Sequence, residues 1–311
     1  MIFLFAFIVI GSILAKGNFL PKNSASVLSK LENYLFVPAL VLNTFITNCT
    51  PKNLSSSWKL LLCCLGLLAL ILPLSMLFAK LIFKENYLRK IALYGLSFAN
   101  FGFMGNAVMS AVFPEIFMDY LLFGIPLWAA IYLWAAPVLL ISSSDESGEK
   151  VSLKQRLKSF LNPMIIATVI GIILGLTQLY IPSSIQSVLK VSGDCMSPVA
   201  MLLTGITIGN TDILKLLKKW QVYAVCFVKV AIYPVIFVLL FALLPQNGFI
   251  TPTFLKCATC FAAMPMGLNT IVIPAAYGKD TTDAAGMALV SHLLSVATIP
   301  LTFMMLETIV L

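Results

Sequence analysis

Charged side chains in this chain are confined to short islands, and the stretches between the islands are apolar runs of about 15 to 25 residues, the length that crosses a bilayer as an α-helix. Composition agrees with the pattern: of 311 residues, 60% are apolar and only 10% charged, well outside the range of a soluble domain. The chain reads as an integral membrane protein with no extramembrane domain left over. Transmembrane β-strands would show dyad alternation in short pieces, and runs such as Leu60-Leu61-Leu62-Cys63-Cys64-Leu65 lack it. The expected fold class is an all-α integral membrane protein.

Ten runs qualify as spans, near residues 1–15, 31–47, 58–79, 88–112, 116–141, 162–180, 185–209, 219–244, 251–277 and 284–310. The first is not shaped like a signal peptide, because Met1 opens straight into the apolar run and the basic residue, Lys16, follows it. Basic residues then set the orientation. Lys16, Lys22, Lys30, Lys80, Lys84, Arg89, Lys90, Lys150, Lys154, Arg156, Lys158, Lys215, Lys218, Lys219 and Lys279 all fall in alternate connections. These are fifteen of the twenty basic residues, so those connections face the cytoplasm. Both termini are then expected outside a plasma (inner) membrane. A cytoplasmic face beside anionic lipid accounts for the net charge of +8, and no nucleic acid is implied.

The sequence also repeats itself. Val9-Ile10-Gly11 matches Val169-Ile170-Gly171, Pro21 matches Pro182, and Val27-Leu28 matches Val188-Leu189. Pro38-Ala39-Leu40-Val41-Leu42 matches Pro198-Val199-Ala200-Met201-Leu202, Trp58 matches Trp220, and Pro73 falls close to the match of Pro234. Five spans per copy is an odd number, so the second copy enters the membrane the other way up. The expected organisation is a first five-helix repeat over 1–141, a cytoplasmic linker over 142–161 and a second, inverted five-helix repeat over 162–311.

Within this repeat the fourth and ninth spans are interrupted at matching places, Phe98-Ala99-Asn100-Phe101-Gly102-Phe103-Met104-Gly105-Asn106 and Phe261-Ala262-Ala263-Met264-Pro265-Met266-Gly267-Leu268-Asn269. Proline removes a backbone donor, and an unpaired peptide group in hydrocarbon costs several kcal/mol unless protein or water satisfies it. The backbone is therefore expected to open into a polar cavity. If the two broken helices cross at mid-membrane, their half-helix N-termini converge on one small volume that suits an anion. The candidate substrate-binding residues are Asn100, Gly102, Gly105, Asn106, Pro265, Gly267 and Asn269. Tight helix packing by Gly and Pro, with Asn as interhelical glue, is the structural alternative.

These segments, with Tyr34-Leu35-Phe36-Val37-Pro38-Ala39-Leu40 in the second span and Tyr277-Gly278-Lys279-Asp280 after the ninth, resemble the auxin efflux carrier family, bacterial type, related to plant PIN carriers. The resemblance runs the length of the chain. It implies ten helices with two crossed, broken ones, elevator-type alternating access, and transport of organic anions such as auxins or small carboxylates. In the family a proline usually stands two positions after the glycine matching Gly105, where this chain has Ala107. The first crossover is then expected to rest on Gly102 and Gly105.

Ionisable residues within spans are expensive and are functional candidates by default. Lys229, Asp194 and His292 qualify as ion-coupling or charge-relay groups, with Lys229 neutralising an anionic substrate or pairing with Asp194. The seven cysteines read as packing residues, since Cys257 and Cys260 have no second pair at ligand spacing. No catalytic or cofactor motif is present, and an enzyme is not expected. The partners implied are a small organic anion, a coupling proton or sodium ion, the lipid bilayer and, left open, a second copy in a homodimer. Two other readings stand beside a carrier: an ion-coupled symporter of the bile-acid/sodium symporter-like fold, and a membrane ligand sensor that binds without translocating.

Overall fold

The computed structural model describes residues 2–21, 23–141, 163–210, 219–246, 248–276 and 279–310. Among these the regular structure is helical throughout: α1 Ile2–Lys16, α2 Ser24–Asn48, α3 Pro51–Ser57, α4 Lys59–Ile82, α5 Asn86–Ser97, α6 Phe101–Val112, α7 Pro114–Leu140, α8 Pro163–Thr177, α9 Ser183–Asp194, α10 Met196–Gly209, α11 Trp220–Leu243, α12 Pro252–Ala263, α13 Asn269–Ala276 and α14 Thr282–Ile309. The expected linker over 142–161 lies outside the described residues.

Five of these helices, α2, α4, α7, α11 and α14, are long and apolar enough to cross a membrane. The other five expected spans are helical too, but short or interrupted. α1 and α8 have 15 residues each, and the runs at 88–112, 185–209 and 251–277 each divide into two helices. Within 185–209 the division falls at Cys195, and Pro198 is accommodated near the start of α10, where its missing N–H costs nothing.

The chain forms two compact units, each discontinuous in sequence. The first comprises Met1–Lys59, Gly102–Leu122 and Phe160–Thr211. Its helices approach closely because glycines replace side chains at the contacts. Gly205 and Gly209 of α10 lie against the Ile8 and Ser12 backbone of α1, and Ser12 Oγ donates to the Gly205 carbonyl at 2.9 Å. Gly171 and Gly175 of α8 lie in the same way against Phe45 of α2 and Cys49 just after it. The two contacts correspond: Gly11 of α1 abuts the Leu202 carbonyl, while its sequence match Gly171 lies beside Leu42, the match of Leu202.

The second unit comprises Leu60–Phe101, Phe123–Ser159 and Asp212–Leu311. Buried aromatic rings hold it together, with Tyr233, Phe237, Phe241, Phe254 and Phe123 in successive contact at 5.8–6.2 Å between centroids. The Tyr233 hydroxyl shares a hydrogen bond of 2.9 Å with Ser75 of α4. At one end, Lys219 pairs with Asp283 at 2.7 Å. In the turn before α14, Thr282 donates its hydroxyl at 2.7 Å and its backbone N–H at 2.9 Å to Asp280, which holds that carboxyl below the usual carboxylate range.

Candidate functional site

Helix α12 starts at a well-made cap, with Pro252 in its first turn and Thr251 Oγ1 accepting the Phe254 N–H at 3.2 Å. It stops because Pro265 forces the preceding residue out of helical geometry, and Met264 is extended at φ −65°, ψ 144°. An unbroken helix would give the Ala262 carbonyl the Met266 N–H. Instead Met266 N–H donates to Ser291 Oγ at 3.2 Å, and the released Ala262 carbonyl accepts from the Lys229 ammonium at 3.3 Å.

The first interruption has no proline. Helix α5 ends at Ser97, Phe98 turns extended at φ −123°, ψ 93°, and the chain resumes as a wide π-turn over Phe101–Gly105 before α-helix from Asn106. Its geometry is fixed from outside. Asn100 N–H donates to the Pro265 carbonyl at 2.8 Å, and Ala99 and Met266 form an isolated antiparallel bridge. Gly267 lies against this segment: a Cβ there would stand 3.4 Å from the Phe98 and Ala99 carbonyl oxygens, in ordinary contact. The Met266 side chain occupies the space that a Cβ on Gly95 would take.

One helix holds both interruptions. On α14, Ser291 Oγ donates to the Ala288 carbonyl at 3.0 Å while accepting Met266 N–H. His292 Nδ1 lies 2.7 Å from the same carbonyl, which can only accept, so Nδ1 carries the proton. In the neutral ring Nε2 is then the acceptor for the Asn100 side-chain amide, 3.0 Å away. Asn269, at the start of α13, donates its amide to the Tyr94 hydroxyl of α5 at 3.2 Å.

Most of the sequence candidates therefore belong to one structure. Asn100, Pro265, Gly267, Asn269 and His292 meet directly or through one partner, and Lys229 joins through Ala262. Lys229 is fully buried, with Phe261 and Tyr233 rings 5.5 Å from its Nζ. Gly102, Gly105, Asn106 and Asp194 lie in the first unit. The interruption precedes Gly102 rather than resting on Gly102 and Gly105, which are both helical, and Ala107 sits one residue inside regular α-helix. Asp194 ends α9 with its carboxylate 2.7 Å from Lys190 and both side chains more than half exposed. The counter-ion suggested for Lys229 is thus engaged elsewhere. Ser291 and Tyr94 escaped the sequence reading because serine and tyrosine in apolar helices carry no signal of their own. Glu32, a carboxylate within the expected 31–47 span, is fully buried inside α2.

A family model described as "Membrane transport protein" matches residues 1–304. A protein of Rhizobium meliloti (strain 1021) described as "Putative malonate transporter" is 22% identical over 302 residues, covering 95% of this chain and 91% of that protein. With broken, bridged helices in an all-helical apolar chain and a family match over nearly its whole length, the protein belongs to the membrane transport protein family, the auxin efflux carrier family that its interrupted segments resemble.

Proposed function

We propose that the protein is a secondary carrier that moves a small carboxylate across the plasma membrane by elevator-type alternating access, with ten spans arranged as two inverted five-helix repeats. The observation that carries this reading is the bridge between the two helix interruptions, Asn100 N–H to the Pro265 carbonyl at 2.8 Å beside the Ala99–Met266 pair. Backbone opened at membrane depth persists only where protein or a water-filled cavity satisfies it, and such paired openings are where carriers bind substrate. The swapped Gly11–Leu202 and Gly171–Leu42 contacts support the inverted repeat.

The substrate class follows from the charges. The start of α13 lies at the interruption, and the positive end of its peptide dipoles favours an anion there, although the Thr270 and Ile271 N–H groups are already bonded to the Gly267 and Leu268 carbonyls. Lys229 adds a buried amino group three residues from Pro265, through Ala262, and a bound anion would stabilise its protonated form. The side-chain amides of Asn100 and Asn269 are engaged with His292 and Tyr94, so they orient a ligand while the backbone and the ammonium supply its charge. The bridge and its supports lie within the second unit, and a site carried by one body is what an elevator requires. The relative described as a malonate transporter makes malonate the first compound to try.

The test is thermal stabilisation of the purified protein against malonate, other small carboxylates and indole acids, repeated with Asn269→Ala, because a ligand that binds the folded state raises its melting temperature by mass action. A selective shift in the wild type that is lost in the variant is expected. Equal shifts in both proteins remove the crossover from the binding site. Counterflow in proteoliposomes then separates a carrier from a sensor, since only a carrier exchanges labelled for unlabelled substrate.

A further inference from the structure

Glu32 lies eight residues past the start of α2, is 0% exposed, and neither carboxyl oxygen has a hydrogen-bond partner. Among the described residues, the elements packed against it offer no counter-charge. Against its turn pack α8, α9 and α10; α8 and α10 carry no charged residue, and α9 carries only Lys190 and Asp194, which pair with each other on an exposed surface. Cys195, half-buried between α9 and α10, is the remaining titratable group on that side. On its own helix, Lys30 and Tyr34 are exposed. A carboxylate anion so placed would bear an uncompensated desolvation cost, whereas the neutral acid would bear only that of a polar group.

The backbone at Glu32 also departs from α-helix, as it does at Phe101–Gly105, Ile131–Ile141 and Val228–Ile232. Residues Glu32–Phe36 form a π-turn, closed by Val37 N–H on the Glu32 carbonyl, inside an otherwise α-helical span. Such a turn holds one residue more than an α-turn and recurs at functional sites. Returning it to α-helix would rotate the segment before it by about 100°, one residue's step. The adjoining position Leu31 is 40% exposed, so a step of that size turns Glu32 out of the interior toward the outer face of α2.

We propose that Glu32 is a proton-binding site of the carrier, loaded as the neutral acid in the conformation seen here and emptied when the π-turn rewinds and exposes it. The carboxyl O–H bond breaks by passing its proton to water when the turn rewinds and re-forms from water before the turn closes; nothing else is consumed. A sodium ion needs several oxygen ligands, and neither Glu32 oxygen has a polar neighbour within hydrogen-bonding distance. This assignment rests on the carrier reading above and names its coupling ion.

Two measurements test it. In difference infrared spectroscopy of the full chain in nanodiscs, a protonated-carboxyl band at neutral pH that disappears in Glu32→Gln is expected; its absence from the wild type overturns the assignment, whatever the variant's folding. In proteoliposomes, one pH unit supports about tenfold accumulation of malonate per coupled proton. Glu32→Gln, which mimics the neutral acid, is expected to lose that gradient-driven accumulation. Retained accumulation in the variant, or accumulation driven by a sodium gradient, overturns the proposal. A wild type that exchanges no substrate at all defeats the carrier reading instead, and the infrared band alone then decides whether Glu32 binds a proton.

Discussion

Lys229 shows how one side chain acquires a role from a neighbour's missing bond. Its ammonium serves a carbonyl that exists as a free acceptor because Pro265 ends α12 and Met266 N–H turns to Ser291. Removing the ammonium strands that carbonyl at a cost of about 1–3 kcal/mol, and relieves the burial of a cation with no carboxylate partner, which offsets it. Lys229→Met is therefore expected to melt within a few degrees of the wild type and to bind carboxylate about tenfold more weakly, as a titration followed by thermal shift will show. Unchanged affinity would reduce Lys229 to a helix cap. At this scale the sequence is a partial guide. Lys229 and His292 stand out as ionisable residues in apolar runs, but their partners, Ala262 and Asn100, are 33 and 192 residues away. Asp194 looked equivalent and is paired with Lys190 one turn back.

Among the helices, α14 does the most to fix the crossover, since Ser291 and His292 share the Ala288 carbonyl and each supports one interruption. Ser291→Ala leaves Met266 N–H buried without an acceptor, a loss of about 1–3 kcal/mol. It is expected to lower the melting temperature and to weaken carboxylate binding together, because the second interruption loses its anchor. Binding that survives at wild-type strength would show that the bridge to Asn100 suffices. The two interruptions differed in how far sequence alone announced them. Pro265 and Gly267 mark the second directly. The first falls inside the expected Phe98–Asn106 stretch, but at Phe98–Asn100 rather than at the glycines; no residue there is a breaker, and the cause is hydrogen bonding to the partner segment.

For the whole molecule, orientation is the property most open to test. If the basic connections face the cytoplasm, a cysteine replacing Lys84 is labelled by an impermeant thiol reagent only from the cytoplasmic side, and one replacing Lys52 only from outside, in a background where the seven native cysteines are first replaced. Labelling of both from one side would refute ten spans with external termini. The apolar runs by themselves determined that the chain is helical and membrane-bound, because backbone donors in lipid must be satisfied within the segment, and a run's length and polarity decide that locally. The second breaker, Pro265, was an equally local fact. Tertiary structure alone decided which residues form each compact unit, where the first helix breaks, which carbonyl receives Lys229 and that Glu32 is buried without a partner. Each of these depends on hydrogen bonds or burial contributed by segments distant in the chain, and no short-range pattern encodes them.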